Sequence, residues 1–236
     1  RRNANLFSRP EAIADFGVGK NMVASIKHWS LTAGIIIEAD GIYSSTDFGR
    51  FLLGEDGVDR YFESPASLWL IHWNIARNFQ RATTWYWAFG HYSSLVFDQD
   101  KLFAEISQLV SERQWKRISP TTLKRDVECF IKTYTNSNRR TQTDITEDSL
   151  ESPLAELALV KPTGFRGSYQ FQRGPKPSLP DSVFAYALDE FWRGHTTAET
   201  LSMEAIAYEP GSPGRVFKLD EEALADRLVR IEAISD

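Results

Sequence analysis

Cysteine is almost missing from this chain: Cys129 is the only one in 236 residues. That excludes an internal disulfide framework and a cysteine-built zinc site, and it fits a reducing cytoplasm. The apolar helical pattern around Cys129 predicts a buried, inert thiol. No apolar run is long enough to span a bilayer, so no membrane partner is expected, and no signal peptide is visible. A positive balance is missing as well. The net charge is −5, which is not that of a generic polyanion binder.

The common catalytic signatures are also lacking. No Glu-x-Lys triplet, no His-x-x-x-His pair and no Gly-x-Ser-x-Gly elbow occurs. Gly41-Ile42-Tyr43 matches half of a nuclease signature without the other half. Gly19-Lys20 resembles the end of a phosphate loop, but Asn21 replaces the required Ser or Thr. Asp98-x-Asp100 offers two acids for Mg²⁺, or simply a helix cap. Catalytic residues therefore stay unknown, and no protein-built metal site is expected.

What is present is a distinctive order of elements near the start. Arg1–Arg9 reads as a basic arm with little structure. Glu11–Phe16 is a short helix whose inner position falls on Ile13, and Gly17-Val18-Gly19 is a turn that can visit positive φ. Asn21 can cap a second helix. Its inward residues are Met22, Val23, Ile26, Trp29 and Ala33. Gly34 stops it, Ile35-Ile36-Ile37 is strand-like, Asp40-Gly41 is a hairpin turn, and Thr46 or Asp47 caps a third helix. Helix, turn, helix, hairpin, helix is the order of a winged helix-turn-helix, in which the second helix enters the major groove. The outer face left by that packing carries Lys20, Asn21, Ala24, Ser25, Lys27, His28 and Leu31, with Arg50 on the third helix. Lysine and arginine suit phosphates; Asn, Ser and His reach phosphates or base edges. The alternative is the same scaffold used for protein contacts.

The middle of the chain is aromatic. Ser64-Pro65 opens a helix that is apolar nearly all round, and a second aromatic helix spans about 82–92. Four of the seven tryptophans lie between residues 69 and 87, at helical spacing, which reads as core; His72 and His91 read as hydrogen-bonded core or rim residues. Asp98 or Asp100 caps the next helix. Ser119-Pro120 starts another, with Leu123, Val127, Phe130, Ile131 and Tyr134 inward. Lys116, Arg117, Thr121, Thr122, Lys124 and Arg125 form a second DNA-contact candidate there. From Arg113 to Arg140 eight Lys or Arg face two acids, whereas from Asp181 onward twelve acids face five bases.

The expected fold is mainly α (α+β): winged helix-turn-helix units around an aromatic-rich helical core. The expected domains are 1–60, the winged unit; 61–138, a helical domain with a second helix-turn-helix-like unit; and 139–236, an acidic C-terminal α/β winged-helix-like domain. Thr135–Ser149 reads as the linker, Leu154–Leu159 as a short helix and Val216–Leu219 as a strand.

Three stretches carry a family resemblance: Leu6-Phe7 with Gly17-Val18-Gly19-Lys20-Asn21-Met22-Val23, Ile26 and Trp29; Ser64-Pro65-Ala66-Ser67-Leu68-Trp69-Leu70-Ile71-His72-Trp73; and Ala82-Thr83-Thr84-Trp85-Tyr86. They resemble the SspB family of bacterial single-strand DNA phosphorothioation systems, long a domain of unknown function. The resemblance is good over residues 6–134. It implies a component of an antiphage defence system that binds double-stranded DNA and nicks it for sulfur incorporation, with Mg²⁺ as the divalent ion for in-line attack. It implies partners too: a cysteine desulfurase, an ATPase and an ATP-pyrophosphatase-like sulfur transferase. It further implies an additional N-terminal piece. A homodimer stays open. The alternative is a non-enzymatic DNA-binding or scaffold protein that recruits the sulfur-transfer machinery.

Overall fold

The computed structural model describes residues 3–113, 119–135 and 152–235. Its first layer is a helix pair on a small sheet. Strand β1 (Asn3–Ala4) is followed by α1 (Ala12–Phe16), α2 (Lys20–Thr32), β2 (Ile36–Ala39), β3 (Ile42–Ser45) and α3 (Asp47–Leu53). The sheet order is β1-β3-β2, all antiparallel. The arm expected to lack structure is thus partly a strand, and Phe7 beyond it stacks on Phe16 and meets the Tyr43 ring edge-on at 5.0 Å. Asp40 and Gly41 both sit at positive φ, +51° and +74°, the pair of conformations a tight hairpin turn needs.

Local chemistry sets the helix ends, with some corrections. Gly17 closes α1 at φ +66°. Gly19, not Asn21, is the N-cap of α2; Asn21 is the second helical residue. In α1 the buried residue is Ala12, while Ile13 is 47% exposed. The helix is rotated by one position from the expectation, and the small residue lies inward. Leu31, expected outside, is buried because α2 continues into the core at its C-terminal end. Thr46 caps α3 by accepting from the Gly49 N–H at 2.8 Å. Gly49 is required there: a Cβ would lie 2.1 Å from the Ile35 carbonyl oxygen.

The centre is α4 (Pro65–Arg77), capped by Ser64. Trp69, Trp73 and His72 on it are fully buried. Its polar atoms tie distant parts together. The Trp69 indole donates to Ser178, the Trp73 indole donates to Glu190 at 2.7 Å, and His72 lies 3.0 Å from the Val216 carbonyl. Asn74 and Asn78 donate to the Ala33 and Thr32 carbonyls, which the end of α2 leaves without helical partners. Against α4 lie α5 (Thr83–Gly90) and, through His72 and Tyr134, α7 (Pro120–Tyr134, capped by Ser119), with α6 (Gln99–Glu112, capped by Asp98) packed on α7 and α5. The five inward residues expected for α7 are all buried. Aromatic rings of this size each remove roughly 150–250 Å² from water, so the tryptophans of this region form core.

Past the linker come a 3-10 helix at Pro153–Leu157, shorter than the helix expected there, and strands β5 (Val160–Pro162) and β6 (Ser168–Phe171). β6 pairs on its other side with β4 (Val96–Asp98), giving the order β4-β6-β5. One apolar core runs from Ala33 through Leu224. Packing therefore continues across the positions where domain boundaries were expected. Helices α8 (Asp181–His195), α9 (Met203–Tyr208), α10 (Pro213–Val216) and α11 (Glu221–Ser235) complete the chain. The strand expected over Val216–Leu219 is instead the end of α10 and a turn with Lys218 at φ +54°. Ser212 and Pro213 start a helix there, and the four apolar-rich residues are buried end-on rather than paired edge-on. Among the described residues the antiparallel β5–β6 pair precedes α8 and no strand follows Phe171, so no hairpin comes after the C-terminal helices.

Candidate nucleic-acid interface

Helix α2 displays Lys20, Asn21, Ala24, Ser25 and His28 to solvent. The Ser25 hydroxyl donates back to the Asn21 carbonyl at 3.1 Å, and the Asn21 side chain is exposed. Lys27 differs from its neighbours. Its ammonium donates to the Tyr43 hydroxyl at 2.5 Å and pairs with Glu38 at 3.4 Å, while Tyr43 donates to Glu38 at 2.7 Å. The Tyr43 bond first, then Glu38, pushes the Lys27 pKa up and the Glu38 pKa down. The triad ties α2 to both strands of the hairpin, and its positive charge is met within the fold.

The second candidate helix lies beside the first. Thr121, Thr122, Lys124 and Arg125 of α7 are exposed. Asp126, next in sequence, accepts from the Thr84 hydroxyl at 2.6 Å and interacts with His28 of α2. Burial pushes the Asp126 pKa up, against the Thr84 bond and His28. Burial lowers the His28 pKa, with Arg81 adding to the effect and Asp126 opposing it. Further along, Trp29 and Ala33 share a pocket of about 360 Å³ with Cys129 and Thr133. Cys129 is exposed at its rim, not buried. The apolar pattern around it belongs to the residues on either side, and the 129 position falls at the edge of the packed stripe. Burial of part of the side chain, then Asp126, raises the thiol pKa, so it stays protonated at neutral pH.

Arg81 is the residue that sequence reasoning missed. It is exposed and acts electrostatically on both His28 and Glu38, so it sits between α2 and the hairpin. Its signal was available: Gln80-Arg81 is a polar pair between two aromatic helices. Among the described residues, Lys20, Arg81, Lys124 and Arg125 form no ion pair, in contrast to Lys27.

Arg50 does not join this face. It pairs with Asp47, donates to the Ser45 carbonyl at 2.5 Å and lines a separate open cleft of about 730 Å³ with Glu55 and Asp56. Lys116 and Arg117 lie outside the described residues, as does most of the expected linker. The arrangement of α2, α7 and Arg81 suits a phosphate backbone: several uncompensated cations with Asn, Ser, Thr and His among them.

Comparisons with known proteins identify the family of the chain. The model of the DUF4007 family, described as a protein of unknown function, matches residues 1–236. No curated protein matches the chain. A crystal structure of SspB superimposes with TM-score 0.87 at 32% identity, covering 98% of this chain and 71% of that one. A magnesium ion-bound SspB crystal structure does so with TM-score 0.87 at 31% identity and the same coverage. Among the described residues no three His, Cys, Asp or Glu groups come together to hold Mg²⁺, and Asp98 is engaged as a cap by the Lys101 N–H at 2.7 Å. The described side chains thus supply no closed magnesium cage. Also among the described residues, no helix is long and apolar enough to cross a membrane. Full-length agreement of a family model, with two structures above 30% identity on the same fold, means that the chain belongs to the SspB family of DUF4007 proteins.

Proposed function

We propose that this chain is the DNA-contacting component of an SspB-type phosphorothioation system, that it binds duplex DNA, and that it nicks one strand for sulfur incorporation. The observation that carries the binding part is the uncompensated set Lys20, Arg81, Lys124 and Arg125 on neighbouring elements, with Asn21, Ser25, His28, Thr121 and Thr122 beside it. The strand order β1-β3-β2 around a hairpin that follows α2 supports reading residues 3–53 as a winged helix-turn-helix, with α2 as the recognition helix and the hairpin beside the backbone. Lys27 then fixes the angle between helix and wing rather than holding a phosphate. The cysteine desulfurase, the ATPase and the sulfur transferase remain the expected partners, on surfaces other than this one.

The test is a gel-shift titration with duplex DNA at several salt concentrations, followed by relaxation of supercoiled plasmid with and without Mg²⁺. Binding that weakens steeply with salt supports phosphate contacts, because each one releases counterions. Nicked product from clean protein supports catalysis. Binding without any nicked product leaves the second reading, a non-enzymatic module that recruits the sulfur-transfer machinery. One observation favours that reading: the described residues bring no His, Cys, Asp or Glu cluster to the basic face.

A further inference from the structure

Away from the basic face, a pocket of about 260 Å³ opens between the loop after α5 and the α9–α10 segment. Arg173, Arg215 and Lys218 line it together with Ser93, Ser94 and Tyr208. No carboxylate is among its described lining residues. Glu209 attracts Arg215 from outside the lining, and Glu221 is engaged by the Tyr208 hydroxyl.

The three cations are held in place by neutral groups. Arg215 donates to the His91 carbonyl at 2.8 Å and to the Tyr92 and Tyr208 carbonyls at 3.2 Å. Arg173 donates to the Leu219 carbonyl at 3.2 Å, and its guanidinium lies 5.4 Å from the Tyr208 ring centre. Lys218 is buried, donates to the Ala88 and Phe89 carbonyls at 3.2 Å each and sits 4.2 Å from the centre of the Phe171 ring. Carbonyl oxygens and ring faces orient a cation without neutralising it. The three charges repel one another: burial first, then Arg215 and Arg173, brings Lys218 down to about 7. Lys218 also holds a left-handed backbone, φ +54°, where glycine is the unstrained choice. It is the side chain that this position uses. Helix α5 and the turn after it need partners for their last carbonyls, and Lys218 and Arg215 supply them, whereas Arg173 is bonded elsewhere, to Leu219. Three convergent cations exceed that need.

We propose that the pocket formed by Arg173, Arg215 and Lys218 with Ser93 and Ser94 is a binding site for a phosphate group, carried either by a small phosphorylated ligand or by the 5′ end of a DNA strand. Guanidinium forks and the Ser93 hydroxyl match the tetrahedral oxygens of a phosphate, while the Ser94 hydroxyl lines the pocket and donates to the Val96 carbonyl at 2.8 Å. The pocket shares no residue with the basic face of α2 and α7, so the two stand or fall separately.

Calorimetric titration of the full chain, in a buffer free of other oxyanions, tests it with four probes: inorganic phosphate, pyrophosphate, and a short single-stranded oligonucleotide with and without a 5′-phosphate. The expected result is saturable binding of at least one phosphate-bearing probe, with affinity reduced about ten-fold or more by Arg173→Gln, whose charge is added to bonds that others already make. Binding by the 5′-phosphorylated strand and not by its 5′-hydroxyl counterpart identifies a DNA end; binding by pyrophosphate or phosphate alone identifies a small ligand. No binding by any probe at millimolar concentration overturns the proposal, and so does Arg173→Gln with unchanged affinity. Should that variant not fold, the titration midpoint of Lys218 followed by NMR serves in the wild-type protein: a bound phosphate raises it, and an unmoved midpoint at saturating probe overturns the proposal. Duplex binding is unaffected by Arg173→Gln, so failure here leaves the DNA reading intact.

Discussion

The Nδ1 atom of His72 lies 2.7 Å from the Tyr134 hydroxyl, with both residues fully buried. The other ring nitrogen faces the Val216 carbonyl at 3.0 Å, and a carbonyl only accepts. Nε2 therefore carries the proton, and Nδ1 accepts from tyrosine. Three distant segments are joined by one neutral imidazole. Tyr134→Phe removes the donor and leaves Nδ1 unsatisfied in the core. The expected loss is about 1–3 kcal/mol in urea unfolding, with the fold retained. An unchanged midpoint counts against the bond.

The same imidazole makes stability depend on pH. Burial lowers the His72 pKa from 6.5 to about 3. The unfolded chain therefore binds a proton below about pH 6.5 that the folded protein does not take up until about pH 3, so stability falls as pH drops through that window. Lys218 acts in the same sense higher up: with a folded pKa near 7 against 10.5, it adds stability as pH rises from 7 toward 10.5. Asp181, held low by Arg230 first, loses its contribution only below its ordinary range. Thermal melts from pH 4 to 9 should show a net rise in Tm with pH, opposed at the acid end by Asp126, whose raised pKa costs stability as it ionises. In His72→Gln, which keeps a donor for Val216, the limb between pH 4 and 6.5 should flatten. An equally steep limb in that variant would falsify the assignment.

Charge reversal separates the cations of the basic face from Lys27. Lys20→Glu, Arg81→Glu, Lys124→Glu and Arg125→Glu should each weaken duplex binding. Each lost contact should also reduce the slope of log affinity against log salt by about 0.9. Full wild-type affinity in all four removes the proposed interface. Lys27→Gln should instead lower thermal stability and leave that slope near the wild-type value, because its charge already meets Glu38 and Tyr43.

Gly49 marks where α3 rests on the backbone of Ile35, just before β2. A Cβ there overlaps backbone, the Ile35 carbonyl oxygen, which no side-chain rotation relieves. Gly49→Ala should cost about 1–3 kcal/mol through displacement of α3. Gly164→Ala, where nothing lies within 4 Å of the added atom, is the matched control and should be close to neutral. Equal unfolding midpoints for the two variants would contradict the close approach.

The sequence by itself determined most helices and their ends. Ser64, Asp98 and Ser119 cap where local chemistry places them, and the stripe Leu123–Tyr134 is buried as its spacing requires. Those features depend on a few neighbouring residues, which a linear reading contains. The hairpin at Asp40-Gly41 was legible for the same reason. Tertiary structure decided what depends on distant partners. It made Asn3–Ala4 a strand, because β3 offers a free edge, and it made Val216 the end of α10 and Phe217 its cap, because the His72 imidazole and the core take them end-on. It also placed β4 beside β6 across more than sixty residues of chain. The candidate site followed the same division. Exposure of Lys20, Lys124 and Arg125 follows from helical periodicity, whereas the loss of Lys27 to Glu38, the addition of Arg81 and the meeting of Arg173, Arg215 and Lys218 arise from contacts between elements, whose pairing no local pattern encodes.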